Sequence, residues 1–149
     1  MKQMLKVNLI FGNFLEKNLK KKTLKKKIFW ANLEWQPGGK ELWTYIKQYT
    51  PNILSAPAVD FNLPQDQQLN PEFNQAIQGK KEWIAKNLSG VGEEIFVPAP
   101  QKATYAGPKN ILIDDMKKNT DAWKASGGKV IQHTSTPETL KALKEKYKL

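Results

Sequence analysis

The 149-residue chain carries a formal charge of +10 from 24 basic and 14 acidic residues, with no cysteine and one histidine, His133. The lack of cysteine excludes disulfides, thiolate metal sites and a cysteine nucleophile, and one histidine cannot by itself build a zinc cluster. No apolar run approaches the roughly 18–20 residues of a spanning helix and the lysine-rich start lacks the apolar core of a signal peptide, so a soluble cytoplasmic protein with no membrane partner is expected.

The length fits a single domain over 1–149 that buries a core without covalent staples. The charge is unevenly placed. Residues 1–33 hold nine lysines against one acid, Glu16. Every basic residue is lysine, so the planar fork that arginine offers to phosphates and guanine edges is missing. Residues 1–28 stand apart as an atypical lysine-rich segment, in which Lys20, Lys21, Lys22, Lys25, Lys26 and Lys27 are candidates for holding a polyanion such as nucleic acid. The plainer alternative is a solvated helix face with Leu19 and Leu24 turned inward.

In chain order, "LKVNLIF" (5–11) predicts a short strand, followed after the lysine block by the aromatic "FWANLEWQPGG" (29–39), which ends in a turn. "KELWTYIKQY" (40–49) spaces Leu42, Trp43, Ile46 and Tyr49 as a helix does, and "NILSAP" (52–57) reads as a buried strand ended by proline. "FNLPQDQQLNP" is a polar loop. "PEFNQAIQGKKEWIAKNL" (71–88) predicts one helix or two, opened by Pro71 and weakened at Gly79. "EEIFVPAP" (93–100) and "NILIDD" are strands, and "NTDAWKASGG" is a helix stopped by Gly127 and Gly128. "KVIQHT" (129–134) is the next strand, and "STPETLKALKEKYKL" is a last helix with Ser135 or Thr136 as its cap and Pro137 in its first turn. The five tryptophans fall among apolar neighbours and are expected in core or rim packing.

Short apolar strands separated by helices predict an α/β class, a doubly wound parallel sheet covered on both faces. In such sheets ligands bind beyond the carboxyl ends of the strands. Those positions hold Ser55, Lys102, Asp114 with Asp115, and His133 or Thr134. Carboxylates suit Mg²⁺, an ammonium neutralises phosphate charge and a hydroxyl hydrogen-bonds a phosphate oxygen.

"ILSAP", the lysine of "QKATYAG" and "NILIDDMKKN", in that order, resemble motifs II, III and IV of the haloacid dehalogenase superfamily of phosphohydrolases. The likeness runs over roughly residues 29–149 and is nearest to the 5′-nucleotidase and deoxyribonucleotidase branch, with phrases similar to "FWANLEWQPGGKELW" and "GKKEWIAKNL". The resemblance implies a Rossmann-like sheet, Mg²⁺-dependent hydrolysis of a small phosphorylated substrate such as a nucleotide, and a reduced or absent cap, the region between motifs I and II being short here. It implies that Ser55 and Lys102 bind the phosphoryl group, that Lys102 and Asp115 are catalytic, and that Asp114 and Asp115 hold the metal. Lys80 and Lys81 are alternatives for the motif lysine, and Lys102 is preferred because the family lysine lies shortly before the acidic strand.

Each residue also has a structural alternative. Ser55 would simply end a strand, Lys102 would be a surface lysine, and the aspartates would cap the following helix; His133 is expected to be structural. Adjacent like charges are costly without a cation, which favours metal over capping.

The family's first motif, Asp-x-Asp at the end of the first strand, has no counterpart here. No aspartate precedes Asp60. Aligning Gly12 with the glycine that follows the motif puts Leu9 and Phe11 at the two positions, and sliding by one puts Asn8 and Ile10 there. None is a competent nucleophile. The expectation is an impaired or inactive phosphohydrolase, whether by gene damage, by divergence or with a different nucleophile; the rival is a non-catalytic module binding polyanions through its lysines.

Overall fold

A computed structural model describes residues 25–149 and the backbone of 4–7. Lys20, Lys21, Lys22 and the motif positions 8–12 lie outside the described residues.

Five strands, β1 Met4–Val7, β2 Asn52–Ser55, β3 Glu94–Phe96, β4 Asn110–Asp114 and β5 Lys129–Gln132, pair in parallel in the order β3-β2-β1-β4-β5. Parallel neighbours require crossovers, and the intervening segments supply them. The helices are α1 Lys27–Ala31, α2 Gly39–Ile46, α3 Gln75–Asn87, α4 Lys117–Ala125 and α5 Thr136–Glu145. The sequence leaves open whether the first strand enters the sheet. Its backbone occupies the central slot, with Val7 in register with Ile53 on one side and Ile113 on the other. Without it β2 and β4 would both present unpaired edges.

Alternation along the strands sends side chains to two apolar clusters, because successive residues of a strand point to opposite faces. Ile53, Ile111, Ile113 and Ile131 join Trp30, Leu42, Trp43, Ile46, Trp83, Ile84 and Leu143. Leu54 and Leu112 join Trp123 and, at the margin, Tyr105 and Val130. Both faces of the sheet are therefore packed, which explains why β2 and β4 read as unbroken apolar runs. The tryptophans pack as expected: Trp30, Trp43, Trp83 and Trp123 are buried, and Trp35 meets Trp83 edge-on at 5.0 Å.

Two elements differ from the sequence expectation, one of them in two respects. Helix α3 opens at Asn74, whose side chain accepts from the Ile77 amide at 3.0 Å, and not at Pro71. It also runs unbroken through Gly79. A Cβ there would collide with the Lys27 carbonyl and lie 2.8 Å from Trp30 Cβ, so this glycine serves the close crossing of α1 rather than a break. Finally, β3 covers only three residues of 93–100, and the chain then winds into a 3₁₀ segment, Ala99–Tyr105, that carries Lys102. At the last helix Ser135 is the cap, while Thr136 Oγ1 donates to the Gly38 carbonyl at 2.8 Å. Gly38 has φ of 77°, and its missing side chain gives Thr136 the room to approach.

Candidate functional site

The parallel register brings the ends of β2 and β4 to the same edge of the sheet, since β1 pairs with both. Ser55 is the last residue of β2, Asp114 is the last of β4, and Asp115 follows it. Lys102 reaches this edge from the 3₁₀ segment after β3, and its Nζ lies 3.2 Å from Asp114 Oδ2. Neither partner is a surface group, with side chains 2 % and 0 % exposed. The surface-lysine alternative for Lys102 is therefore not what the structure shows.

Asp114 is held from three directions. Its Oδ2 also accepts from Asn119 Nδ2 at 3.0 Å, and its Oδ1 accepts from the Met116 amide at 2.9 Å. The bond to Met116 closes a local turn; helix α4 has Met116 itself at the cap position and no side-chain cap, so neither aspartate caps it. A charged acceptor with several charge-assisted donors is strongly fixed.

Ser55 does not touch Lys102. Its hydroxyl lies 2.6 Å from Lys80 Nζ, which also approaches the Ala56 carbonyl at 3.4 Å and sits 4.6 Å from the centre of the Trp30 ring. Lys80 is 2 % exposed. Burial, followed by repulsion from Lys102, pushes its ammonium from the ordinary 10.5 down to about 7. Burial also lowers Lys102, opposed by Asp114 first and Asp115 after it. The two lysines thus feel one another. One edge of the sheet holds two buried amines, a hydroxyl and an acidic pair.

The order of the motifs favours Lys102 over Lys80, and Asn119 is not among the residues the sequence singles out. A signal was present for Lys80. Ala76, Ile77, Trp83 and Ile84 form the buried stripe of α3, and Lys80 falls in the middle of that stripe. Lysine on an apolar stripe has to be reconciled with burial, and here it points to the strand ends. Asn119 shares the buried face of α4 with Thr120 and Trp123.

His133 follows β5 and donates its backbone N–H to the Asp114 carbonyl at 2.9 Å, while its Nδ1 and Thr139 Oγ1 are 2.7 Å apart. Burial lowers its pKa, with Asp115 opposing. Asp115 therefore stands electrostatically between Lys102 and His133. It also lines an open cleft between the 36–41 segment and the loop from β5 to α5.

Mg²⁺ requires a near-octahedral set of oxygens. Among the described residues no three acidic or histidine side chains gather to hold a metal. Both oxygens of Asp114 already accept from Lys102, Asn119 and the Met116 amide, and an ammonium and a cation compete for the same oxygen.

Of the lysines proposed for polyanions, Lys25 pairs with Asp60 at 3.4 Å and Lys27 with Glu82 at 2.7 Å, while Lys26 is exposed just before α1. These acids offset part of the positive charge at that end of α1. Among the described residues no helix is long and apolar enough to cross a membrane. Set against protein-family models and curated proteins, the chain matches none.

Proposed function

We propose that the chain binds phosphate monoesters at the carboxyl edge of its sheet, through Ser55, Lys80 and Lys102, and that it is a nucleotidase-like member of the haloacid dehalogenase superfamily with impaired hydrolysis. The observation that carries the proposal is the convergence of two buried lysines: Lys80 Nζ sits 2.6 Å from Ser55, and Lys102 is close enough to lower its pKa. Two amines and a hydroxyl in a low-dielectric edge suit an anion whose oxygens accept from all three. The doubly wound, Rossmann-like form of the fold is supported by the strand order and by the two apolar clusters on opposite faces.

Impairment follows from the residues themselves. The motif that supplies the attacking aspartate has no counterpart ahead of Asp60. With no aspartate in that position, the proposal expects binding to outlast turnover.

The test pairs binding with turnover. Calorimetry with orthophosphate and nucleoside monophosphates should show binding that Lys80→Met and Lys102→Met each weaken. Phosphate release from nucleotides and an aryl phosphate, with and without Mg²⁺, should stay at background. A folded protein that binds no phosphate refutes the site. Turnover that needs Mg²⁺ and is lost in Asp115→Asn would instead show an intact enzyme.

A further inference from the structure

Lysine is a nucleophile only when its nitrogen has given up its proton, and at neutral pH an ordinary lysine meets that condition in roughly one molecule in a few thousand. Lys80 is placed differently. It lies on the buried stripe of α3, 2 % exposed, and its Nζ is flanked by the Ser55 hydroxyl at 2.6 Å, the Ala56 carbonyl at 3.4 Å and the Trp30 ring at 4.6 Å. The hydroxyl serves either form of the amine, donating to the neutral one and accepting from the charged one. Burial and the charge of Lys102 bring Lys80 down to about 7, so the nucleophilic form is a major species near neutral pH. Lys102 is also buried, but Asp114 and Asp115 oppose the loss of its charge. One amine of the edge is thus set up to react and its neighbour to stay a cation.

Burial selects a small electrophile. A donor carrying a large group would have to part α3 from the end of β2 to reach Nζ, whereas carbon dioxide is linear, uncharged and three atoms long. The product suits its surroundings as well. As an ammonium, Lys80 is repelled by Lys102. As a carbamate it would carry negative charge, and the same neighbour would attract it. Ser55 Oγ, beside the nitrogen, is placed to donate to a carbamate oxygen. Carbamates fall apart when solvent returns a proton to the nitrogen, and a site that keeps water out slows that step.

We propose that Lys80 is a carbamylation site, whose Nζ takes up carbon dioxide to form a carbamate held by the Ser55 hydroxyl and the Lys102 ammonium. The neutral nitrogen forms a bond to carbon, one C=O bond opens to leave its electron pair on oxygen, and the nitrogen gives one proton to solvent. Nothing is oxidised or reduced. The modification stands without the phosphate reading, but it draws on the same three side chains. Where both hold, carbamate and phosphate exclude one another, since phosphate takes Lys80 as an ammonium and carbon dioxide takes it as an amine.

The experiment equilibrates the full chain with carbon-13 bicarbonate in a sealed tube at mildly alkaline pH and reads the carbamate carbon by NMR. A parallel sample is trapped with a trialkyloxonium salt, which esterifies the carbamate, and the adduct is mapped by mass spectrometry. The expected result is a carbamate signal, an adduct on Lys80, and loss of both in Lys80→Met. Ser55→Ala, which keeps the amine, should weaken uptake about tenfold, the factor that one hydrogen bond to a charged group carries. The wild-type adduct map decides the matter if Lys80→Met does not fold. No carbamate signal, an adduct confined to other lysines, or a signal that folded Lys80→Met retains in full would overturn the proposal. Equal uptake by folded Ser55→Ala would overturn the seat at Ser55. Orthophosphate that suppresses the signal would support a shared edge, whereas a carbamate indifferent to saturating phosphate would leave carbamylation standing and overturn the phosphate site.

Discussion

Replacing Lys80 with methionine keeps the length of the side chain and removes its charge, and the expected consequence is a change in how stability depends on pH. Lys80 falls from 10.5 to about 7 on folding. At about 1.36 kcal/mol per pH unit, that fall corresponds to about 5 kcal/mol between its two limits. Below the folded value the lysine is protonated in both states, and the wild type carries the full cost of a buried ammonium. Between the folded and unfolded values the unfolded chain holds a proton that the native chain lacks, so wild-type stability rises with pH. Methionine has no such term. The stability advantage of Lys80→Met should therefore be greatest below about pH 7 and shrink by about 1.4 kcal/mol for each pH unit above it. Urea unfolding of both proteins at several pH values, compared as a difference, cancels the other titrating groups. A difference that stays flat from roughly pH 6 to pH 9 would show that Lys80 titrates as an ordinary lysine, and the charge-withholding by burial would be refuted.

Lys102→Met should destabilise the protein by about 3–5 kcal/mol, because it leaves the fully buried Asp114 without its ammonium, less whatever is recovered by removing repulsion on Lys80; chemical denaturation at neutral pH reads it, and a loss below about 1 kcal/mol would contradict the buried pair. Gly79→Ala should destabilise by about 1–3 kcal/mol, against the usual benefit of alanine in a helix, since its Cβ meets the Lys27 carbonyl. A neutral or stabilising result in a thermal melt would show that α1 does not cross α3 as described. Ser135→Ala should cost about 0.5–1 kcal/mol, the weak end for a cap, because the bond to the Glu138 amide is 3.4 Å long.

Much of the candidate edge was legible because strand ends are easy to read. A run such as "NILSAP" or "NILIDD" marks both the strand and its exit, and parallel topology then brings the exits together. That is why Ser55, Lys102, Asp114 and Asp115 were expected at one edge, where the structure places them. What strand ends do not reveal is pairing across the edge. Ser55 meets Lys80 and not Lys102, because α3 returns over the sheet and delivers its buried stripe to that hydroxyl. Gly79 misled for a related reason. In isolation glycine weakens a helix, whereas here tertiary packing against α1 decides its role. The metal expectation rested on two adjacent acids, and adjacency in sequence does not say where each turns: Asp114 faces Lys102 and Asn119, while Asp115 lines the cleft.

Two lysines in one buried edge are an expensive arrangement for a protein that uses them only to stand up. Lys102 has a compensating carboxylate, yet even a well-made buried ion pair often does no better than apolar side chains of the same volume. Lys80 sits amid Ala76, Ile77, Trp83 and Ile84, where methionine or leucine would pack without desolvating a charge. Burial holds it near the point of losing its proton, and its neighbour Lys102 pushes in the same direction. The anion proposed for this edge would reverse both effects. It would return a favourable potential to Lys80, restore its proton near neutral pH and offer Ser55 an acceptor. The same event then stabilises the fold by mass action, since only the native chain brings these groups together. For the proposed site, the cost of holding two buried amines and the affinity for the anion are thus two sides of one free energy.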